Sequence, residues 1–365
     1  MASAAPLPKP VTWVTAIDEE RPMTGKDPSQ YPPCTVGDTL ARAAASWPDS
    51  PMLVPADPSE ATLTISGFSY TTRGTARAML AAGLGRFDGV AILGFNAIPW
   101  HTAAVGGILA GGVVAGMYPT NSPPVCAHIL TDVRVRLAFV DSLGAVEKLV
   151  EARRIASESP ESSGPGLTKI VSWGVPASEL NAPKFADARD FLVEGDASGV
   201  TDEALEAVMA TQKPGHCCSL VYTSGTTGPP KGVMISHDNM NWTVSVTQTT
   251  VHLGPGDLGV SYLPLSHVAA TMIDIHGYLG IGFNMHFARP DALKGSLGET
   301  LKAVRPTFFL ANYRFFFTPP TFAPNATSPP SPPPHTATTF CSKFPKPRSQ
   351  RGKRSTAAVK ITCPL

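Results

Sequence analysis

Residues Tyr222–Gly232 read YTSGTTGPPKG, and the fold follows from how this stretch is read. The apolar and small residues leading into Tyr222 read as a buried strand. At Thr223 the chain breaks into six positions of Thr, Ser and Gly, then Pro229 and Pro230, then the single cation Lys231. Backbone amides in such a loop turn inward as a nest for phosphate oxygens. Hydroxyls of Thr223, Ser224, Thr226 and Thr227 add donors, and Lys231 supplies a mobile positive charge. Gly225 and Gly228 permit positive φ and close approach of a ligand. The prolines have no N–H to give and stiffen the loop. The pattern reads as a phosphate-binding loop for a nucleotide.

Two other readings compete. A Walker A loop has Gly before its Lys and Ser or Thr after it. Here Pro230 precedes Lys231 and Gly232 follows, so that chemistry is missing. A plain flexible surface loop has similar composition, but the length of the pattern and the strand before it argue against coincidence.

The wording around the loop resembles a known family. QKPGHCCSLVYTSGTTGPPKGVMISHDNMNWT (Gln212–Thr243), SYLPLSHVAATMIDI (Ser261–Ile275) and VAILGFNAIPW (Val90–Trp100) are similar to the adenylate-forming, AMP-binding enzymes. Within them they resemble the bubblegum group of long-chain fatty acyl-CoA synthetases, over Thr35 to Leu310. The resemblance implies a layered β-α-β N-terminal adenylation domain and ATP, Mg2+ and coenzyme A as cofactor and co-substrates. It implies a long-chain fatty acid as the acyl substrate. Thr223–Lys231 would hold the β- and γ-phosphates, with Lys231 on the outer ones. His267, in PLSHVA, would stand at the active-site wall near the carboxylate or acyl pocket; a histidine packing or capping at a strand end is the plainer reading. Trp100 and Phe95 are read as core. Asp274 and His276 could line the same helix face as His267, with no catalytic role assigned.

The alternation of strands and helices independently points to an α/β fold. Val90–Gly94, Leu137–Val140, Ile170–Trp173, Ser219–Tyr222, Val260–Leu263 and Thr307–Leu310 read as strands. Ala97–Ala115, Ser142–Ala156, Ser236–Val251, His267–Gly280 and Leu297–Val304 read as helices. Ser236 and Asp238 are N-cap candidates, and a helix starting there would aim its positive end at phosphate. The apolar run Thr102–Tyr118, with five glycines, is short of a bilayer span and reads as a buried core helix.

Composition bounds the partners. Of 29 Lys and Arg, eight fall in residues 311–365, which hold no Asp or Glu; the first 310 residues keep 21 basic against 28 acidic, a net of −7. That body has no electrostatic footprint for nucleic acid. The six cysteines form neither a zinc spacing nor a disulfide framework, and no metal-ligand set is expected. Cys217 and Cys218 read as small apolar filling. The N-terminus lacks the pattern of a signal peptide. A cytoplasmic chain is expected, with membrane contact limited to peripheral association, at the endoplasmic reticulum by resemblance.

Three regions are expected: an extension over 1–34, a partial adenylation domain over 35–310, and a disordered Pro-rich basic tail over 311–365. Eleven of the 37 prolines lie in that tail, whose composition does not offset the entropy of ordering. A ligand for SH3 or WW domains and a basic localisation patch remain alternatives for it. After VRPTFFL (Val304–Leu310) the chain departs from the resemblance, as a frameshift, retained intron or gene-model error would make it do. The aromatic-Gly-x-Thr-Glu motif, the ribose-binding Asp, the hinge Arg and the lid Lys that the resemblance implies are not found after Leu310. The expectation is therefore a catalytically incomplete ligase. A non-catalytic product, acting as a decoy or interaction protein, is the alternative. An unpaired strand edge after Leu310 and marginal stability are expected with it.

Overall fold

Two five-residue runs with every side chain buried, Gly89–Leu93 and Val113–Met117, lie side by side in the middle of the molecule. Unbroken apolar strands of this kind belong to parallel sheets covered on both faces. The computed structural model describes residues 16–21, 27–158, 166–176, 179, 185–223, 228–312, 339–343 and 358–361, with side chains up to Leu310 other than that of Phe185.

The chain opens with α1 (Val36–Ser46), β1 (Pro51–Val54), β2 (Leu63–Thr64) and α2 (Ile65–Ala81). There follow β3 (Gly89–Leu93), α3 (Ile98–Leu109), β4 (Val113–Met117), α4 (Pro123–Asp132) and β5 (Val135–Val140). Next come α5 (Leu143–Ser157), β6 (Lys169–Ser172), β7 (Phe185–Asp187), α6 (Ala188–Ala197) and α7 (Asp202–Met209). A hairpin of β8 (Cys217–Thr223) and β9 (Lys231–Ser236) leads into α8 (His237–Val251) and β10 (Leu258–Ser261). One turn of α9 (Val268–Ala270) runs into a π-helix, Thr271–Gly277, and then α10 (Tyr278–Ile281). The last elements are β11 (Asn284–Phe287), α11 (Leu297–Val304), β12 (Phe308–Asn312), β13 (Thr339–Lys343) and β14 (Ala358–Ile361).

The central sheet has the order β7-β6-β5-β3-β4-β8-β9, parallel throughout except for the β8–β9 pair at its edge. A second sheet runs β10-β11-β1-β2, with β10, β11 and β1 parallel. The α/β layering read from the sequence is therefore the observed architecture.

Three details depart from the sequence reading. The run Thr102–Tyr118 is not one helix: α3 stops at Leu109, Gly111 turns the chain at φ 82°, and the remainder is β4. An entirely apolar run has no periodicity to separate a buried helix from a buried strand. β9 was not anticipated, and it moves the start of α8 away from the loop. In the hairpin Thr223 pairs with Lys231 while Cys217 pairs with Ser236. The N-terminus of α8 thus stands about 17 Å of strand from the loop end, and its dipole is not aimed at phosphate there. Ser236 does cap the helix: its Oγ accepts from Asn239 N–H, and the Asn239 side chain accepts from Ser236 N–H, both at 3.2 Å.

Two segments of the tail, β13 and β14, are strands. β13 pairs antiparallel with β12, and β14 with β13. This pairing takes up one edge of β12, which among the described residues remains the outer strand of a three-stranded sheet, so an open strand edge persists there. The rest of the tail lies outside the described residues. Among the described residues no helix is long and apolar enough to cross a membrane.

Candidate active site

The hairpin places the predicted loop at the carboxyl end of β8, the side on which open α/β sheets bind ligands. Six residues of β8 are buried and the seventh, Thr223, is exposed. Lys231 is exposed opposite it as the first residue of β9. Thr223 and Lys231, predicted from the sequence as the ends of the grip, are thus direct register partners. Gly228 adopts φ 96°, with nothing within 4 Å of where a Cβ would stand. That left-handed turn strains any side-chain-bearing residue. Ser224, Gly225, Thr226 and Thr227 lie outside the described residues.

Helix α4 supports the hairpin from one face. The Tyr222 hydroxyl donates to Asp132 Oδ2 at 2.6 Å, and His128 Nε2 donates to the Pro230 carbonyl at 2.9 Å. The two rings meet edge to face at 6.4 Å. Burial and the adjacent Asp132 carboxylate raise the Tyr222 phenol far above its ordinary range. Neither α4 residue drew attention in the sequence, because nothing near positions 128 and 132 marks them as neighbours of residue 222.

His267 caps α9, its Nδ1 accepting from Ala269 N–H at 3.2 Å. The plainer reading, a capping histidine, describes the geometry observed. Its chain neighbour Ser266 packs against β4: a Cβ on Gly116 would lie 2.8 Å from Ser266 Cα. Since Ala115 pairs with Leu220, Gly116 stands level with Val221. The His267 segment therefore meets the central sheet two residues, about 7 Å, short of Thr223. Beneath it is a cavity of about 10 Å3, walled by Trp100, Val114, Ser219, Ser266, Ile275 and His276. That is the lower limit for one water molecule.

Behind this wall runs a buried polar chain that the sequence reading missed. Asn96 Nδ2 donates to Ser261 Oγ and to the Leu263 carbonyl, each at 2.8 Å, and Ser261 Oγ donates to Asp274 Oδ2 at 2.7 Å. It ties the loop after β3 to β10 and to the π-helix. Burial raises the Asp274 carboxyl to about 8. His276 turns instead toward the cavity, so the expected shared face for Asp274 and His276 is not found. Burial lowers His276 and His101 to about 3 each, with the neighbouring imidazoles adding to it. His101 stacks on Tyr278 and shares a 3.0 Å hydrogen bond with its hydroxyl. Trp100 is buried, as expected for core, though it also faces the cavity. Cys217 and Cys218 are buried with thiols pushed up, to about 12 for Cys217.

Among the described residues no group of three or more His, Cys, Asp or Glu is placed to hold a metal ion. The described residues thus gather no such cluster for the Mg2+ implied by resemblance, an ion that commonly needs only one or two carboxylates beside substrate phosphates.

A helix-covered, largely parallel sheet, with Thr223 and Lys231 meeting at the carboxyl end of an inner strand, defines an α/β protein whose candidate site lies where open α/β sheets bind ligands. The chain belongs to the AMP-binding enzyme family, which matches residues 40–318. It is 36% identical to the long-chain-fatty-acid–CoA ligase ACSBG2 of Rattus norvegicus over 308 residues, covering 82% of this chain and 45% of that protein. The Homo sapiens ACSBG2 is 37% identical over 305 residues, covering 82% and 44%. The rat ACSBG1 is 41% identical over 249 residues, covering 67% and 33%. The resemblance to the bubblegum-type ligases is borne out. The chain spans less than half the length of these relatives. Among solved structures, the anthranilate CoA ligase AuaEII in complex with anthranoyl-AMP superposes with a TM-score of 0.63 at 22% identity, over 78% of this chain and 51% of that one. The N-terminal domain of FACL13 from Mycobacterium tuberculosis gives 0.58 at 18%, over 75% and 61%. At these identities the likeness establishes the fold.

Proposed function

We propose that this chain forms the phosphate-gripping and acyl-facing part of an ATP-dependent long-chain fatty acid–CoA ligase. The observation that carries the reading is the pairing of Thr223 with Lys231 at the carboxyl end of β8. It holds a hydroxyl and an exposed cation on either side of one loop. In the reaction, a fatty acid carboxylate oxygen attacks the α-phosphorus of ATP, and the bond to the β-phosphate breaks to release pyrophosphate. The thiolate of coenzyme A then attacks the acyl carbonyl carbon, and AMP leaves. Carboxylate is a weak nucleophile toward a polyanion, so alignment and charge neutralisation supply most of the rate. Lys231 would draw charge from the outer phosphates while the loop amides and hydroxyls fix their position.

The acyl group is assigned to the apolar cavity beside the His267 segment. As it stands the cavity is too small for an alkyl chain, so binding requires its walls to part. The π-helix Thr271–Gly277 is the least regular of them, and such segments recur at functional sites.

For the 365 residues as they stand we propose nucleotide binding with little turnover. Residues 311–365 carry no carboxylate side chain, so the metal-holding Glu and ribose-binding Asp implied by resemblance have no counterpart there. The test is fatty acid-dependent exchange between ATP and pyrophosphate by the purified chain, beside titration with a fluorescent ATP analogue. Binding without exchange is expected. Robust exchange would overturn the proposed incompleteness, and absence of nucleotide binding would overturn the site.

A further inference from the structure

We propose that His128 and Asp132 are positioning residues for the nucleotide site, clamping both stems of the β8–β9 hairpin from one face of α4. The inference rests on the reading of this hairpin as the phosphate grip, and it assigns a role to residues outside the loop.

Four positions apart on a helix, His128 and Asp132 project from the same face. Asp132 accepts from Tyr222, the residue before Thr223, and His128 donates to Pro230, the residue before Lys231. One helix therefore holds the entry and exit of the loop at adjacent points. Pro230 has no N–H, so its carbonyl is the one backbone group through which this residue can be tied. The Pro230 carbonyl can only accept, which fixes His128 Nε2 as the protonated donor nitrogen. Tyr222 is buried to 5% exposure, and a buried hydroxyl needs a partner.

The hairpin has particular need of such support. Among the described residues β9 is the edge strand of the central sheet, hydrogen-bonded on one side only, to β8. Its first residue, Lys231, has a strand neighbour in Thr223 and solvent beyond it. Without the α4 bonds, fraying would begin at this end, where the ladder stops. Fraying there would move Lys231 relative to Thr223, and a misplaced cation loses its advantage over bulk ions.

The test compares Asp132→Ala and His128→Ala with Asp132→Asn and His128→Gln, which keep an acceptor and a donor respectively. Tyr222→Phe removes the other end of the first bond. Two measurements are made on the full chain: amide hydrogen exchange over β9, and affinity for a fluorescent ATP analogue. The alanine variants and Tyr222→Phe are expected to exchange faster at Lys231 and Gly232. They should bind the analogue about threefold to tenfold more weakly, the effect of one lost hydrogen bond. The Asn and Gln variants should stay within about twofold of the parent. Unchanged exchange in the alanine variants overturns the clamp. Faster exchange with unchanged affinity overturns the positioning role. If the parent chain binds no nucleotide, the reading of the site fails by itself, and the exchange data alone decide whether α4 holds the hairpin.

Discussion

The Ser261 hydroxyl donates to Asp274 Oδ2 at 2.7 Å, supporting a carboxyl that lies in the interior between β10 and the π-helix. Burial outweighs this bond, and the folded chain keeps Asp274 protonated up to about pH 8. The unfolded chain releases that proton near the ordinary value of 3.8. Across this window unfolding releases a proton, so the contribution of Asp274 to stability is full below pH 3.8 and is lost as pH rises toward 8.

The buried histidines have the opposite sign. His101 and His276 are lowered to about 3 and His237 to about 4, all by burial first. Their contribution is complete above the unfolded value of 6.5 and is lost as pH falls toward those values. Each group acts with a slope of about 1.4 kcal/mol per pH unit. Three histidines against one carboxyl place the stability maximum near the unfolded histidine value. Urea midpoints measured from pH 5 to 8.5 should fall on both sides of it, and Asp274→Asn should flatten the alkaline arm. A midpoint that holds constant up to pH 8 in the parent chain would contradict a neutral Asp274.

Lys231→Ala should weaken binding of a fluorescent ATP analogue about tenfold, or about 1.4 kcal/mol. Lys231→Arg should restore part of the loss, because charge is retained while the point geometry of the ammonium is not. The unfolding midpoint should be unchanged in both, since the side chain is exposed at the start of an edge strand. Unaltered affinity in Lys231→Ala would remove the phosphate grip.

Gly116→Val should destabilise the chain by about 1–3 kcal/mol through overpacking. A Cβ there meets the Ser266 backbone at 2.8 Å and Trp100 at 3.3 Å. The backbone cannot yield as a flexible side chain would, so the His267 segment must move off β4. Denaturant unfolding reads the loss, and a Gly116→Val variant as stable as the parent would mean that this contact is slack.

Ser236→Ala should cost about 1 kcal/mol, the usual value of a lost N-cap. Its hydroxyl accepts from Asn239 N–H at the start of α8. Since α8 begins at the far end of the hairpin, nucleotide affinity should not change with it. A loss of affinity matching that of Lys231→Ala would mean that the helix dipole does act on the phosphates.

Local chemistry explains what was readable beforehand. Short apolar runs bounded by polar turns marked β3, β5, β6 and β8, and Ser236, one of the two N-cap candidates, marked the start of α8, because each is set by residues close in sequence. β9 was not readable: Lys231–Ser236 has a mixed exposed and half-buried pattern, and only pairing with β8 makes it a strand. α3 and β4 merged into one run because both are fully enclosed and neither shows a period. Asn96, Ser261 and Asp274 are short-range neighbours in space and far apart in the chain, so no spacing announces their hydrogen bonds.

By itself the sequence determined the α/β class, the family and the loop ending at Lys231, since composition, order and backbone permissiveness are written residue by residue. The tertiary structure decided which residues stand around that loop. It set Thr223 against Lys231, brought His128 and Asp132 beneath both stems, and turned the α8 dipole away. The physical reason is that strand pairing and helix packing join positions by register and contact, which no local pattern along the chain encodes.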